Sequence, residues 1–152
     1  MNNKTRKATV IDTGVLIEYL TIDPEKREEQ KYKEYLETQL FKNKKYERFV
    51  ISFLTRTELL YIHCRMNGWK KAKQYVGEIV KNLTIIRTKE LDDLAAMIKC
   101  QLPIALVDCY GLAIGWLMNI PVYFVEEKEL TEQLRKTIRE KMNIEINVVK
   151  KL

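Results

Sequence analysis

The chain has 152 residues, 46% of them hydrophobic and 32% charged, and its 27 Lys and Arg exceed its 21 Asp and Glu by six. This composition fits one globular domain with a full core and excludes general disorder. The positive excess favours a polyanionic partner, although a solvated surface explains it equally well.

Three cysteines without a CxxC pair argue against a disulfide framework and a zinc ribbon. No apolar run reaches the roughly 20 residues that span a bilayer, and the basic residues 1–7 lead into a strand-like segment, so we expect a cytoplasmic protein without a membrane partner.

Segments with strand-like and helix-like patterns alternate along the chain. In its first half we predict strands at residues 8–11 and 49–51, and helices at 15–20 after a Thr13-Gly14 turn, from Asp23-Pro24 onward, and at 55–66. In its second half we predict helices at 69–80, 89–100, 106–118 and 130–142, and strands at 83–86, 122–125 and 144–149. Strands that alternate with helices form a parallel sheet covered on both faces. We therefore predict one α/β domain over residues 1–152, with three α/β/α layers and a mostly parallel central sheet of four to five strands.

Acidic residues stand where a parallel sheet gathers its functional groups, outside the carboxyl ends of the strands. Asp12 ends the first strand, and Glu126 and Glu127 follow the fourth. Glu58 and Asp108 lie in the first turns of two predicted helices and are able to face the same edge. Carboxylates that converge repel each other unless a cation neutralises them. Hard oxygen ligands of this kind suit Mg²⁺ or Mn²⁺, for which a phosphodiester is a natural substrate.

Some of these acids also have purely structural interpretations. Residues 55–58 match the S/T-x-x-E capping box, with Glu58 as its last residue. An acid such as Asp108 near a helix start is favoured by the helix dipole in any case. Asp12 is the hardest to explain by packing, because hydrophobic residues lie on both sides of it. The prediction of a metal site therefore rests on the set of acids.

Three short segments resemble the motifs of PIN domains: Val10-Ile11-Asp12-Thr13-Gly14-Val15-Leu16-Ile17, then residues 51–60 around Glu58, then residues 106–113 around Asp108. The resemblance implies a divalent-metal-dependent endoribonuclease of the three-layer PIN fold. It implies that Asp12, Glu58, Asp108 and Glu127 form the catalytic and metal-binding set for Mg²⁺ or Mn²⁺. By length the chain is most similar to VapC-like toxins, the ribonuclease halves of toxin–antitoxin pairs. That likeness implies an RNA substrate, a homodimer and a small antitoxin protein as a partner.

The sequence departs from the family pattern at three places. Gly14 stands where the family often has Asn, Ala105 stands where many relatives have Ser, and the fourth acid is Glu127, or alternatively Glu126, where Asp is usual. These departures support an alternative, a catalytically impaired PIN-like scaffold that binds RNA or protein. Another alternative is a PIN nuclease of RNA processing that has no antitoxin.

The remaining predictions concern residues around the acids. We expect Thr13 to hydrogen-bond a ligating carboxylate and Glu126 to lie just outside the metal site. One basic loop supplies the predicted RNA contacts Lys42, Lys44, Lys45 and Arg48. A second basic group around the Gly68 turn is also a candidate for RNA contact, and solvated surface charge is the other interpretation of both groups: Arg65, Lys70, Lys71 and Lys73. We predict a homodimer also because one small domain has few places to bury Tyr32, Tyr35, Trp69 and Trp116 completely.

Overall fold

The computed structural model describes residues 7–152, so the basic residues 1–6 lie outside the described part of the chain. A five-stranded sheet has the order β3-β2-β1-β4-β5, and every neighbouring pair is parallel. Its strands are β1 (Ala8–Ile11), β2 (Arg48–Ser52), β3 (Thr84–Ile86), β4 (Val122–Val125) and β5 (Ile146–Val149). In the centre of the sheet, Val10 is paired with Val50 on one side and Val122 on the other. The predicted parallel sheet, including its fifth strand, is confirmed.

In the described residues, seven α-helices connect and cover the strands. They are α1 (Thr13–Leu20), α2 (Arg27–Leu36), α3 (Phe53–Asn67), α4 (Trp69–Val80), α5 (Lys89–Gln101), α6 (Leu106–Met118) and α7 (Glu132–Met142), and a π-helical turn (Glu37–Phe41) extends α2. Within residues 7–152, no helix is both long and apolar enough to cross a bilayer.

Two apolar cores lie on opposite faces of the sheet, because successive residues of a strand point to opposite sides. Val10 and Phe124 belong to one core, which is closed by α5, α6 and α7. Ile11 and Val125 belong to the other, which is closed by α1, α2, α3 and α4. Strands β1 and β4 are buried on both faces, which is why they are almost continuous apolar runs rather than alternating ones. The predicted three-layer α/β/α architecture of the PIN fold is confirmed.

Helix α3 begins earlier than predicted. Ser52 is its N-cap, and the Ser52 Oγ accepts a hydrogen bond of 3.3 Å from the backbone N–H of Thr55. The helix therefore starts at Phe53, and the predicted capping box that ends at Glu58 is wrong. Glu58 lies in the second helical turn, so its side chain is free for another role.

The predicted helix start at Asp23-Pro24 is also wrong. The Asp23 Oδ1 accepts a hydrogen bond of 3.0 Å from the N–H of Glu25, and the Asp23 N–H donates to Glu29 Oε2 at 2.7 Å. These bonds close a turn, and α2 begins only at Arg27. A side-chain bond to the backbone two residues on is an alternative to the N-cap that the same Asp offers.

Candidate active site

A cleft of about 340 Å³ opens at the carboxyl edge of the sheet, beside the ends of β1 and β4. Its acidic lining comes from four distant segments of the chain, which supply Asp12 with Glu18, then Glu58, Asp108 and Glu127. Lys151, which follows β5, is the cation in this lining. The structure thus brings together the four acids that the sequence analysis proposed as one catalytic and metal-binding set.

Asp12 is fixed at the centre of the cleft by its backbone and by one carboxylate oxygen. Its N–H donates to the carbonyl of Tyr123 at 3.0 Å, which extends the pairing of β1 with β4. Its Oδ2 caps α1 by accepting a hydrogen bond of 3.1 Å from the N–H of Gly14. Its Oδ1 is buried and has no hydrogen-bond partner among the described residues. A buried carboxylate oxygen without a partner is costly, and a cation would remove that cost.

Glu58 reaches the cleft across the gap between two helices. The Thr13 Oγ1 on α1 lies 2.7 Å from Glu58 Oε1 and 3.0 Å from Thr55 Oγ1 on α3. A carboxylate only accepts, so the single hydroxyl proton of Thr13 goes to Glu58. This bond holds Glu58 towards Asp12 and gives Thr13 the carboxylate contact that the sequence analysis expected.

Glu126 and Glu127 diverge after β4, as adjacent residues at a strand end do. Glu127 lines the cleft, and its Oε1 would be 3.5 Å from a Cβ built on Gly14. Glu126 is exposed and is not among the residues that line the cleft. Its place just outside the metal site stays a prediction.

Burial, and after it the charge of neighbouring acids, raises the pKa of three acids in the cleft. Burial, followed by the negative charge of Asp108, raises the pKa of Asp12 well above its usual value. Burial, with the charges of Glu127 and Glu58 adding to it, raises the pKa of Asp108 to about 6. The pKa of Glu127 is raised by burial and by Glu129, while the ammonium group of Lys151 opposes that rise. Such mutual repulsion is what a divalent cation relieves.

The residues present fit a divalent ion, although the side chains do not yet enclose one. Within residues 7–152, no three His, Cys, Asp or Glu side chains are gathered closely enough to hold an ion as they stand. Carboxylates without a cation separate, and Mg²⁺ keeps several of its own waters when it binds to protein. The unpartnered Oδ1 of Asp12 is a ready ligand. Gly14 leaves open the space between Asp12 and Glu127, because a Cβ there would lie 3.2 Å from Asp12 Oδ2.

The basic loop that was expected to contact RNA lies at the other end of the strands. It precedes β2 and is therefore at the amino edge of the sheet, opposite the cleft. The Lys42 Nζ pairs with Glu37 at 3.2 Å, and the Arg48 Nε donates to Thr84 Oγ1 at 3.0 Å. Lys44 and Lys45 are exposed. RNA contact by this loop stays a prediction, and such a contact would be remote from the acids.

Sequence reasoning missed Lys151 and Glu18 in the lining of the cleft. The signal for Lys151 was present, because a residue after the fifth parallel strand stands at the same edge as one after the first. Glu18 lies on α1, one turn beyond the motif residue Gly14, where helical spacing brings i and i+4 to one face.

The chain is similar to known proteins in its sequence pattern and in its fold. A family model described as PIN domain matches residues 9–122, which are 114 of the 152 residues. No curated protein matches the chain. Among solved structures, a chain of VapBC-1 from nontypeable Haemophilus influenzae has a TM-score of 0.60 at 14% identity, over 93% of this chain and 97% of that one.

Two further structures have the same fold. A chain of VapBC2 from Rickettsia felis, bound to a promoter DNA fragment, has a TM-score of 0.59 at 13% identity, over 93% of this chain and 98% of that one. A chain of a toxin–antitoxin complex from Klebsiella pneumoniae has a TM-score of 0.56 at 15% identity, over 82% of this chain and 91% of that one. At these identities the likeness shows a common fold.

Proposed function

This chain belongs to the PIN-domain family, a family of nucleases, and from that premise we propose that it is a single-domain, divalent-metal-dependent endoribonuclease. One observation carries the proposal: acids from four distant chain segments line one cleft, and the central one has a buried, unpartnered oxygen. Asp12 caps its helix with one carboxylate oxygen, but that structural role leaves the other oxygen buried and without a hydrogen-bond partner. Acids that are clustered and buried at a cost in stability are instead typical of a functional site.

We assign the roles in the cleft as follows. Asp12 and Asp108, the two most buried acids, hold the metal directly, and Glu58 and Glu127 hold it through water or orient the attacking water. A bound Mg²⁺ or Mn²⁺ supplies a water of lowered pKa and polarises the phosphoryl oxygen. Thr13 keeps Glu58 in place by its 2.7 Å hydrogen bond.

We further propose that the protein is the toxin of a toxin–antitoxin pair, acts in the cytoplasm and binds a small antitoxin protein. The support is that solved structures of this fold include complexes described as toxin–antitoxin and VapBC. A PIN nuclease of RNA processing without an antitoxin would use the same cleft. A small reading frame next to this gene, whose product co-purifies with this chain, separates the two alternatives.

One observation favours the alternative of an impaired scaffold. Ala105 lines the cleft at the N-cap position of α6, where no side-chain hydrogen bond caps the helix. A hydroxyl-bearing residue, which many relatives have there, would satisfy a helix N–H and add a polar group to the cleft. A scaffold of this kind binds RNA or protein but does not cleave.

RNA cleavage tests the proposal directly. A mixed RNA pool is incubated with wild type, Asp12→Asn and Asp108→Asn in Mn²⁺ or Mg²⁺, and again with EDTA. We expect cleavage by wild type alone, and none with EDTA. Asp93→Asn, an exposed acid on α5, is the matched control and should cleave like wild type. Equal cleavage by wild type and both site variants would indicate a contaminating nuclease, and binding without any cleavage would favour the scaffold.

We also propose a homodimer, based on two of the four aromatic side chains that the sequence analysis named. Tyr32 and Tyr35 need no partner subunit, because the Tyr32 hydroxyl donates to the Lys150 carbonyl at 2.6 Å and the Tyr35 hydroxyl accepts from the Lys150 N–H at 3.1 Å. Trp69 and Trp116 remain 56% and 39% exposed, so they are the side chains that a second subunit would cover. Light scattering should give twice the monomer mass, and a monomer at micromolar concentration would contradict the proposal.

A further inference from the structure

The acidic cleft attracts metal ions but repels the phosphates of its proposed substrate. Lys151 is the cation in a lining that has five acids. Even a bound divalent ion leaves that lining negative. The groups that hold an RNA strand must therefore lie next to the cleft rather than in it, because phosphate contacts supply most of the affinity for nucleic acids.

Helix α3 carries such groups on the face that begins at the cleft. Glu58, Tyr61 and Arg65 follow one another at spacings of three and four residues, which places them on one side of the helix. The Tyr61 hydroxyl is 3.5 Å from Glu58 Oε2, so the Tyr61 ring lies next to the acidic lining of the cleft. Tyr61 is 41% exposed, which is high for a residue with an aromatic ring.

Arg65 completes this surface. Its guanidinium carbon is 5.0 Å from the centre of the Tyr61 ring, and the residue is exposed. Within residues 7–152 it forms no ion pair, so its charge is available to a ligand.

We propose that Tyr61 and Arg65, here called the α3 column, seat single-stranded RNA where it leaves the cleft, with Tyr61 stacking on a base and Arg65 binding the adjacent phosphate. Alternating rings and cations suit a single strand, because every base has a face that stacks and every linkage has a charge. A duplex, whose bases are already stacked, gains only the contact to phosphate. The inference rests on the proposed nuclease function and adds the means by which substrate is held.

The test separates substrate binding from the chemical step. KM and kcat are measured in Mn²⁺ on a short single-stranded RNA of mixed sequence for wild type, Tyr61→Ala, Tyr61→Phe and Arg65→Gln. Loss of stacking should raise KM about tenfold in Tyr61→Ala, with kcat little changed. Tyr61→Phe keeps the ring and should keep the wild-type KM.

Salt dependence identifies the role of Arg65. Arg65→Gln should lower the slope of log affinity against log salt by about 0.7, the value for one phosphate contact on a single strand. The matched control is Lys136→Gln, which removes an exposed cation from α7, a helix that closes the core on the other face of the sheet. It should leave KM and the salt slope unchanged.

The outcomes distinguish this inference from the proposed function. No cleavage by wild type would overturn the nuclease and the α3 column with it. Wild-type cleavage with unchanged KM in Tyr61→Ala and Arg65→Gln would overturn only the α3 column and leave that surface to a protein partner. An equal loss in Lys136→Gln would also overturn it, because the effect would then come from overall charge. Thermal unfolding of each variant shows whether a raised KM accompanies loss of the fold. If Tyr61→Ala has lost its fold, the KM of Tyr61→Phe decides instead.

Discussion

Replacing Asp108 by Asn should stabilise the metal-free protein at neutral pH. Asp108 is 4% exposed, and its pKa is raised from 3.8 to about 6. At about 1.36 kcal/mol per pH unit, that difference corresponds to about 3 kcal/mol of destabilisation when the group is ionised. Because folding raises this pKa, the folded protein binds more protons than the unfolded chain between about pH 4 and about pH 6. The contribution of the Asp108 carboxyl group to stability is therefore complete below about pH 4 and is lost as the pH rises through about 6.

The assay is thermal unfolding in EDTA across that pH range. Asp108→Asn should raise Tm at neutral pH by up to about 6–12 °C, at about 2–4 °C for each kcal/mol, and the gain should vanish in acid. The figure is an upper bound, since Asn must still bury an amide. Mn²⁺ should raise the Tm of wild type but not of the variant, because a ligand stabilises only the protein that binds it. A variant that is destabilised equally in acid and at neutral pH would refute the reasoning, and the exposed Asp93→Asn should show no effect at either pH.

Three further predictions follow from single contacts. Glu127→Gln should weaken Mn²⁺ binding measured by calorimetry, whereas Glu126→Gln should not, and the reverse would exchange their roles. Thr13→Val removes the hydrogen bond that orients an acid and should lower metal affinity about 10–100-fold, while an unchanged affinity would make that bond irrelevant. Gly115→Ala places a Cβ against β4 and should cost about 1–3 kcal/mol in denaturant unfolding. Gly77→Ala, on α4 with nothing within 4 Å of the new Cβ, should instead stabilise the protein slightly, and equal effects would contradict the packing argument.

The fold was predictable because its signals are local and repeated. The apolar runs of β1 and β4 are buried on both faces, so their composition alone indicates a parallel sheet. The first residue of a helix was harder to predict where two side chains are both able to act as its N-cap. Ser52 and Thr55 are both able to cap a helix, and only the path of the chain after β2 decides that Ser52 does.

The site was predictable in its acids but not in its surroundings. Asp12 and Glu127 follow strands, and the rule for parallel sheets places both at one edge. The sequence analysis expected Thr13 to bond a carboxylate, but its partner Glu58 is 45 positions away, and no local pattern indicates which acid it is. The basic loop near Lys45 was a reasonable candidate by charge, but charge carries no information about which edge of the sheet a loop lies on.

The strand order also determines when during synthesis this cleft is able to form. β1, β2 and β3 leave the ribosome first and can pair with one another, yet β4 must then dock against the free side of β1. Until it does, Asp12 lacks the Tyr123 carbonyl that fixes its backbone, and Glu127 has not been positioned at all. A nascent chain that ends before β4 therefore has half a sheet and an incomplete set of acids. Chain growth itself delays the onset of any activity that depends on this cleft.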